Sequence, residues 1–200
     1  GAGLRWERVA GFHGGLEASL ERLTRVYDDW WRRWRLPPYD PLLQLETEYD
    51  RTNEIRYAAV LFSAQDVQQL FGVRDRLIME VRGTALAYAL AAYKREFGNY
   101  PRDQERLYGQ SVRKSSDVDL YHPPTGVLGE PMQYIVTSER RAVDTSVGRL
   151  WIDAGEAVLW SYGQDLEDNR ADRHSNTGAE GDIVLWPPIK VLAREQGKLR

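Results

Sequence analysis

The sequence contains no cysteine. Disulfides, thiolate catalysis, iron–sulfur clusters and cysteine-based zinc sites are therefore excluded. Long apolar runs are also missing. The longest, Ala85–Tyr93, falls well short of the roughly 20 residues that cross a bilayer. The opening residues show no signal-peptide pattern, so membrane attachment is expected only through a segment absent from this chain. Charge of one sign does not dominate. The 27 Lys+Arg and 30 Asp+Glu leave a net charge of −3, which gives no electrostatic reason for a nucleic-acid partner. No internal repeat or low-complexity linker interrupts the chain. What is present is an ordinary globular balance, 42% hydrophobic and 28% charged over 200 residues, with seven Trp. That rules out a collagen-like or mostly disordered chain and bounds the protein to one domain, or one domain with an extension.

The first half is written in helical periods. Leu16, Leu20, Leu23, Tyr27, Trp30 and Trp34 repeat at alternate spacings of four and three, which predicts an amphipathic helix over 16–35. Gly14-Gly15 precede it and Pro37-Pro38 stop it. Within it, Trp30-Trp31-Arg32-Arg33-Trp34-Arg35 invites a nucleic-acid or membrane-surface reading. Glu17, Glu21, Asp28 and Asp29 neutralise the same helix, however, so the string reads first as a core stripe with a solvated arginine face. Residues 39–48 read as irregular, and a second helix is expected over about 49–60. The longest helix is expected from Ser63 to Phe97, with Ser63 as N-cap and Asp66 three residues on. Its apolar stripe reads Val67, Leu70, Leu77, Val81, Ala85, Tyr88 and Ala92. Gly98 is a natural residue to end it, and Pro101 prevents resumption.

After Pro101 the pattern changes to short β-like runs. Met132–Val136, Leu150–Ile152, Ala157–Tyr162 and Ile183–Trp186 are strand candidates. Asp153-Ala154-Gly155-Glu156 between the second and third reads as a hairpin turn. Helices followed by a small antiparallel sheet make an α+β fold: N-terminal helices, with one long helix packed on the sheet. The expected division is an N-terminal helical extension, 1–62, and an α+β domain, 63–200.

Residues 1–98 are charge-neutral, so the net negative charge falls in the remainder. It gathers in 163–182, which holds Asp165, Glu167, Asp168, Asp172, Glu180 and Asp182 against Arg170 and Arg173. Asn169, Ser175, Asn176 and Thr177 add neutral oxygens. A stretch of this length with so little apolar content is not expected to pack by itself, and long loops in compact domains are functional or disordered. A hard cation would supply the missing order. Calcium takes six to eight oxygens and suits such a loop better than magnesium, which keeps several waters. The spacing is not that of an EF-hand. Counted from Asp165, Arg170 stands where that loop needs Gly, and Asn176 where it needs a bidentate Glu. His174 alone, without Cys, is thin support for zinc. On composition, a solvated loop without an ion remains an equal alternative.

Two further patterns carry a resemblance. Ala91-Ala92-Tyr93-Lys94-Arg95-Glu96-Phe97-Gly98-Asn99-Tyr100-Pro101 resembles the helix end of type II secretion major pseudopilins. Pro124–Tyr134, Leu159–Asp165 and Gly181-Asp182-Ile183 resemble the same family's later landmarks, in the same order. The resemblance implies a calcium-binding pseudopilin-like domain over about 63–186. It places Asp165 at the first acidic ligand and Asp182 at the last. Glu167, Asp168 and Asp172 fall in the acidic middle, and Leu159 and Ser161 lie where the family offers backbone carbonyls. The chain departs from the family in lacking its N-terminal hydrophobic segment. Arg74-Asp75-Arg76 stand in the helix instead, and charge inside a hydrophobic bundle is costly. The fold and the ion carry over; filament assembly does not.

The expected function is thus a non-catalytic, exported or membrane-anchored structural or interaction protein with a structural Ca2+. Its location would be periplasmic or extracellular, and a protein partner or self-association is open to it. Two other readings stand beside it. One is a hydrolase using the loop carboxylates, with His122 or His174. The other is a helical interaction module using the Trp30/Trp31/Trp34 face.

Overall fold

The structure is a computed structural model that describes residues 3–4, 7, 10–64, 67–108, 117–125, 129–173 and 181–199. Its contacts divide the chain into two compact units, Gly1–Val73 and Arg74–Arg200. The first unit is built on helix α1 (Gly15–Arg33). After it come a 3-10 turn (Pro41–Gln44) and the short helix α2 (Ala58–Ser63). Val26, Trp30, Val60 and Ala64 form its core, with Val67 and Phe71 packed against them. The helix expected over 16–35 is therefore present and ends at Arg33, but the adjacent tryptophans Trp30 and Trp31 part company. Trp30 is 3% exposed and sits against Tyr27 and Tyr49 at ring separations of 5.4 and 5.5 Å. Trp31 is 59% exposed. The three tryptophans thus do not form one contact face, because positions one residue apart on a helix point 100° apart.

The expected arginine face is also only partly solvated. Arg33 is buried. It donates to Asp29 Oδ2 at 3.0 Å and to the carbonyls of Leu42, Leu45 and Glu46 at 2.7–3.1 Å. A guanidinium carries five donors in a fixed fork, so one side chain can tie the end of α1 to the turn that follows.

Helix α3 (Gln68–Phe97) begins five residues later than the sequence suggests. Ser63 closes α2 instead of opening α3: its hydroxyl donates to Ala59 O at 2.8 Å. Asp66, its expected capping partner, lies outside the described residues. The second helix is correspondingly shorter than the expected 49–60. The boundary between the two units falls inside α3 rather than before it, because Phe71 belongs to the first unit's core. The far end of α3 follows the sequence. Gly98 takes a left-handed φ of 77°, and its amide donates to Lys94 O at 2.8 Å, which fits a residue with no Cβ to clash.

In the second unit, strands β1 (Gln133–Val136), β4 (Ala157–Ser161) and β5 (Ile183–Trp186) form an antiparallel sheet in the order β1-β4-β5. Strands β2 (Arg141–Thr145) and β3 (Gly148–Ile152) form a separate two-stranded ladder. Helix α4 (Ile189–Glu195) follows β5. The long helix packs on the sheet as expected: Met79, Leu86, Ala89 and Leu90 share one core with Ala157, Leu159 and Ile183. A second core joins Val143, Leu150 and Ile152 to Val158, Trp160 and Ala193. The fold is α+β. Among the described residues, no helix is long and apolar enough to cross a membrane.

Two expectations are corrected here. The first concerns the apolar stripe of α3. Leu70, Leu77, Val81 and Tyr88 are exposed, and so are Ala85 and Ala92, while Asp75, Met79, Gly83, Leu86, Ala89 and Leu90 are buried. The second is the hairpin at Asp153–Glu156. It links β3 to β4 in sequence, but the two strands do not pair, because β4 already has β1 on one edge and β5 on the other. The turn is held instead by Thr137. Its hydroxyl donates to Asp153 O at 2.6 Å and its amide to Glu156 O at 2.9 Å, and its carbonyl accepts from Gly155 N at 2.7 Å.

Candidate functional site

The acidic segment leaves β4 and returns at β5. Its described part is 163–173 with 181–182; His174 and Glu180 lie outside the described residues. The apolar side chains in it are few, but they anchor it. Ala171 is completely buried in the second core, and Leu166 packs on the first. The described part of the segment is therefore anchored to both cores at these two positions.

Short side-chain turns shape the rest. Asp165 Oδ1 accepts from Glu167 N at 3.1 Å, and its Oδ2 from Asn169 Nδ2 at 2.7 Å. Asp168 Oδ1 accepts from Arg170 N at 2.8 Å and from the indole of Trp160 at 3.1 Å. Arg141 of β2 donates to the Arg170 carbonyl. The segment closes on itself where Gly181 N meets Arg173 O at 3.0 Å and Asp182 N meets Asp172 O at 2.9 Å. Only glycine fits there: a Cβ at position 181 would lie 2.7 Å from Arg173 O and 3.0 Å from Asp172 O. Leu166, Arg170 and Ala171 hold φ values of 57–66°. That left-handed region costs a residue with a Cβ about 1 kcal/mol or more.

Asp182 is the centre of this arrangement. It is 3% exposed. Its Oδ2 accepts from Ala171 N at 2.6 Å, while its Oδ1 is buried without a hydrogen-bond partner. Burial pushes its carboxyl up to about 7, and the negative charges of Asp168 and Asp165 push the same way against the amides of Asn169 and Ala171. An orphaned buried carboxylate oxygen facing two further acids is a costly arrangement unless a proton or a cation joins it.

The seven residues expected at an ion are thus sorted. Asp165 and Asp168 act electrostatically on Asp182. Glu167 is exposed and Asp172 half-buried. Leu159 is paired on both edges of β4, and Ser161 opposes Ile183. Asp165, Glu167 and Asp168 form no ion pair among the described residues. Nor, among those residues, do three His, Asp or Glu converge closely enough to cage a metal by themselves. A cation here would need backbone and water oxygens beside the acids.

Asp119 is the neighbouring group that the sequence does not single out. It is buried. It accepts from Ser161 Oγ at 2.6 Å, Tyr121 N at 2.9 Å and Tyr162 N at 2.8 Å. Burial raises its carboxyl above the usual range despite those donors. It pins the end of β4, where the acidic segment departs. The one available signal is the Asp-Val-Asp-Leu alternation at 117–120, which marks an extended segment with two inward acids. The Ser161 hydroxyl is committed to Asp119 and to Tyr162 O at 2.9 Å. The His122 ring stacks on Tyr162 at 4.3 Å. No family model, no curated protein and no solved structure matches this chain.

Proposed function

We propose that the chain is a non-catalytic structural or interaction module whose acidic segment takes up a structural Ca2+. One observation carries this reading: Asp182 Oδ1, buried and without a donor, beside the acids Asp165 and Asp168. Those three carboxylates would hold the ion, with carbonyls of the segment completing an all-oxygen shell. Calcium is favoured over magnesium because it accepts many oxygens in irregular geometry. The ion would replace the proton that Asp182 otherwise retains, and would fix a segment whose backbone holds three left-handed residues. The protein would then be suited to the periplasm or the cell exterior, where calcium-binding modules of modest affinity work.

The test is thermal melting of the full chain in excess EDTA, then in calcium or magnesium, with titration calorimetry. At calcium of about 100 times Kd the gain is about 2.7 kcal/mol, or about 5–10 °C for a chain of this size. Magnesium should give a smaller shift. No binding heat and an unchanged melt would overturn the reading.

A further inference from the structure

A cleft of about 540 Å³ opens between the end of β3, the start of β4 and helix α4. None of its lining residues belongs to the acidic segment. Its floor is aromatic and proline-rich, with Trp151, Trp186, Pro187 and Pro188; Trp151 is 42% exposed. Its rim carries the carboxylates of Asp153, Glu156 and Glu195. The walls are fixed in advance. The Gln196 amide donates to Trp151 O at 2.6 Å and accepts from Trp151 N at 3.0 Å, clamping the end of α4 onto β3. A preformed concave surface with flat apolar faces and a few polar groups is the usual form of a recognition site.

The chain itself shows what this chemistry attracts. Lys94 lies 2.6 Å from Glu156 and 4.5 Å above the ring of Tyr100, which also lines the cleft. Arg140 lies 3.4 Å from Asp153 and 5.0 Å above the ring of Trp151. Each of these cations is therefore held by one carboxylate and one aromatic face. Trp186 and Glu195 line the same cleft, and among the described residues no cation of the chain sits on either.

We propose that this cleft docks an extended, proline-containing peptide segment of another protein, with one Lys or Arg directed to Trp186 and Glu195. Proline rings lie flat on tryptophan and proline surfaces, and an extended proline-rich segment has little conformational entropy left to lose. The basic residue answers the rim carboxylate of Glu195, which no cation matches among the described residues. An oligosaccharide also stacks on tryptophan, but the acidic rim gives a neutral sugar no charge complement.

The probe is the blocked peptide Ala-Arg-Pro-Leu-Pro-Pro-Ala, titrated into the full chain while the tryptophan indole N–H signals are followed by NMR. The indoles of Trp151 and Trp186 should shift and saturate, with a Kd on the order of 0.1–1 mM. Replacing the peptide's Arg by Glu should abolish the shifts, and replacing its prolines by Ala should weaken them. Glu195→Gln should weaken binding about fivefold and leave the melting temperature unchanged, since Glu195 is exposed. The proposal fails if the two indoles stay still at about 5 mM peptide, or if the Glu-bearing peptide or the Glu195→Gln chain binds equally well. It fails too if cellotetraose moves these indoles where the peptide does not.

Discussion

At the scale of single residues, Asp182 makes the sharpest statement about pH. An ordinary aspartate titrates near 3.8, and here burial with two acidic neighbours lifts the folded value to about 7. Between those limits the native state holds a proton that the unfolded chain has released. Stability from this group is therefore complete below about pH 4 and is lost as pH rises through about 7. Calcium reverses the slope, because it needs the ionised carboxylate. The ion's stabilising effect should grow from pH 5 to pH 8. Asp182→Asn separates the two effects. The amide keeps an oxygen for Ala171 N and has no charge to desolvate. In EDTA at pH 8 the variant should melt about 5 °C above the parent chain, and at pH 4 the two should coincide. Calcium should no longer raise its melting temperature. A variant that melts below the parent in EDTA at pH 8 would show that some other donor already satisfies Oδ1.

Among the elements, α3 shows where sequence reasoning succeeds and where it slips. The period and the stop at Gly98 are legible, because a 3.6-residue repeat and a left-handed glycine leave plain marks; the start is not. Nor is the phase. The helix has apolar residues on two opposite faces, and the bulkier set, Leu70, Leu77, Val81 and Tyr88, is the exposed one. The buried face is written in Met79, Gly83, Leu86 and Ala89, of which Gly83 and Ala89 are small enough to let the sheet approach. Gly83 is the point of closest approach. A Cβ there would lie 2.7–2.9 Å from three atoms of Leu185 on β5. Alanine at a helix interior normally gains up to about 1 kcal/mol over glycine. Here the overlap includes Leu185 Cγ, so the whole side chain must move, at a cost of about 1–3 kcal/mol. Gly83→Ala should therefore lose about 1 kcal/mol net in a urea titration. A gain in stability would mean that Leu185 yields freely and that the helix–sheet contact is loose. Strand β2 is not legible in the sequence for a different reason: Arg141, Asp144 and Thr145 surround a single buried residue, Val143, and a strand with one inward apolar position has no alternation to detect.

Across the whole molecule, the order of helices before strands was enough to give the α+β class, since each element's period is local. Strand pairing was not local. The sequence suggested that β3 should turn onto β4, yet Thr137 claims that turn and β4 is enclosed by β1 and β5. The acidic segment was visible as composition. The electrostatic effect of Asp165 and Asp168 on Asp182 depends on the fold, as does the choice of Asp119 to pin the end of β4. These contacts also decide how far the effect of an ion should travel. Arg173 N donates to Asp144 O at 3.0 Å, and Arg141 holds the Arg170 carbonyl, so the segment is fastened to β2. It is fastened equally to β5 through Asp182. A cation held by Asp165, Asp168 and Asp182 would therefore link the β2–β3 ladder to the larger sheet, whereas β1 is tied to β4 by its own register from Gln133 to Val136. Chelation should speed hydrogen exchange at the amides of Ala171, Arg173, Gly181 and Asp182 by about tenfold or more, and should reach the amides of β2. The β1–β4 ladder should keep its protection. Equal acceleration of the β1–β4 ladder would mean that the ion stabilises the unit globally; no acceleration at Ala171 and Asp182 would mean that side-chain turns and the buried Ala171 hold the segment without one.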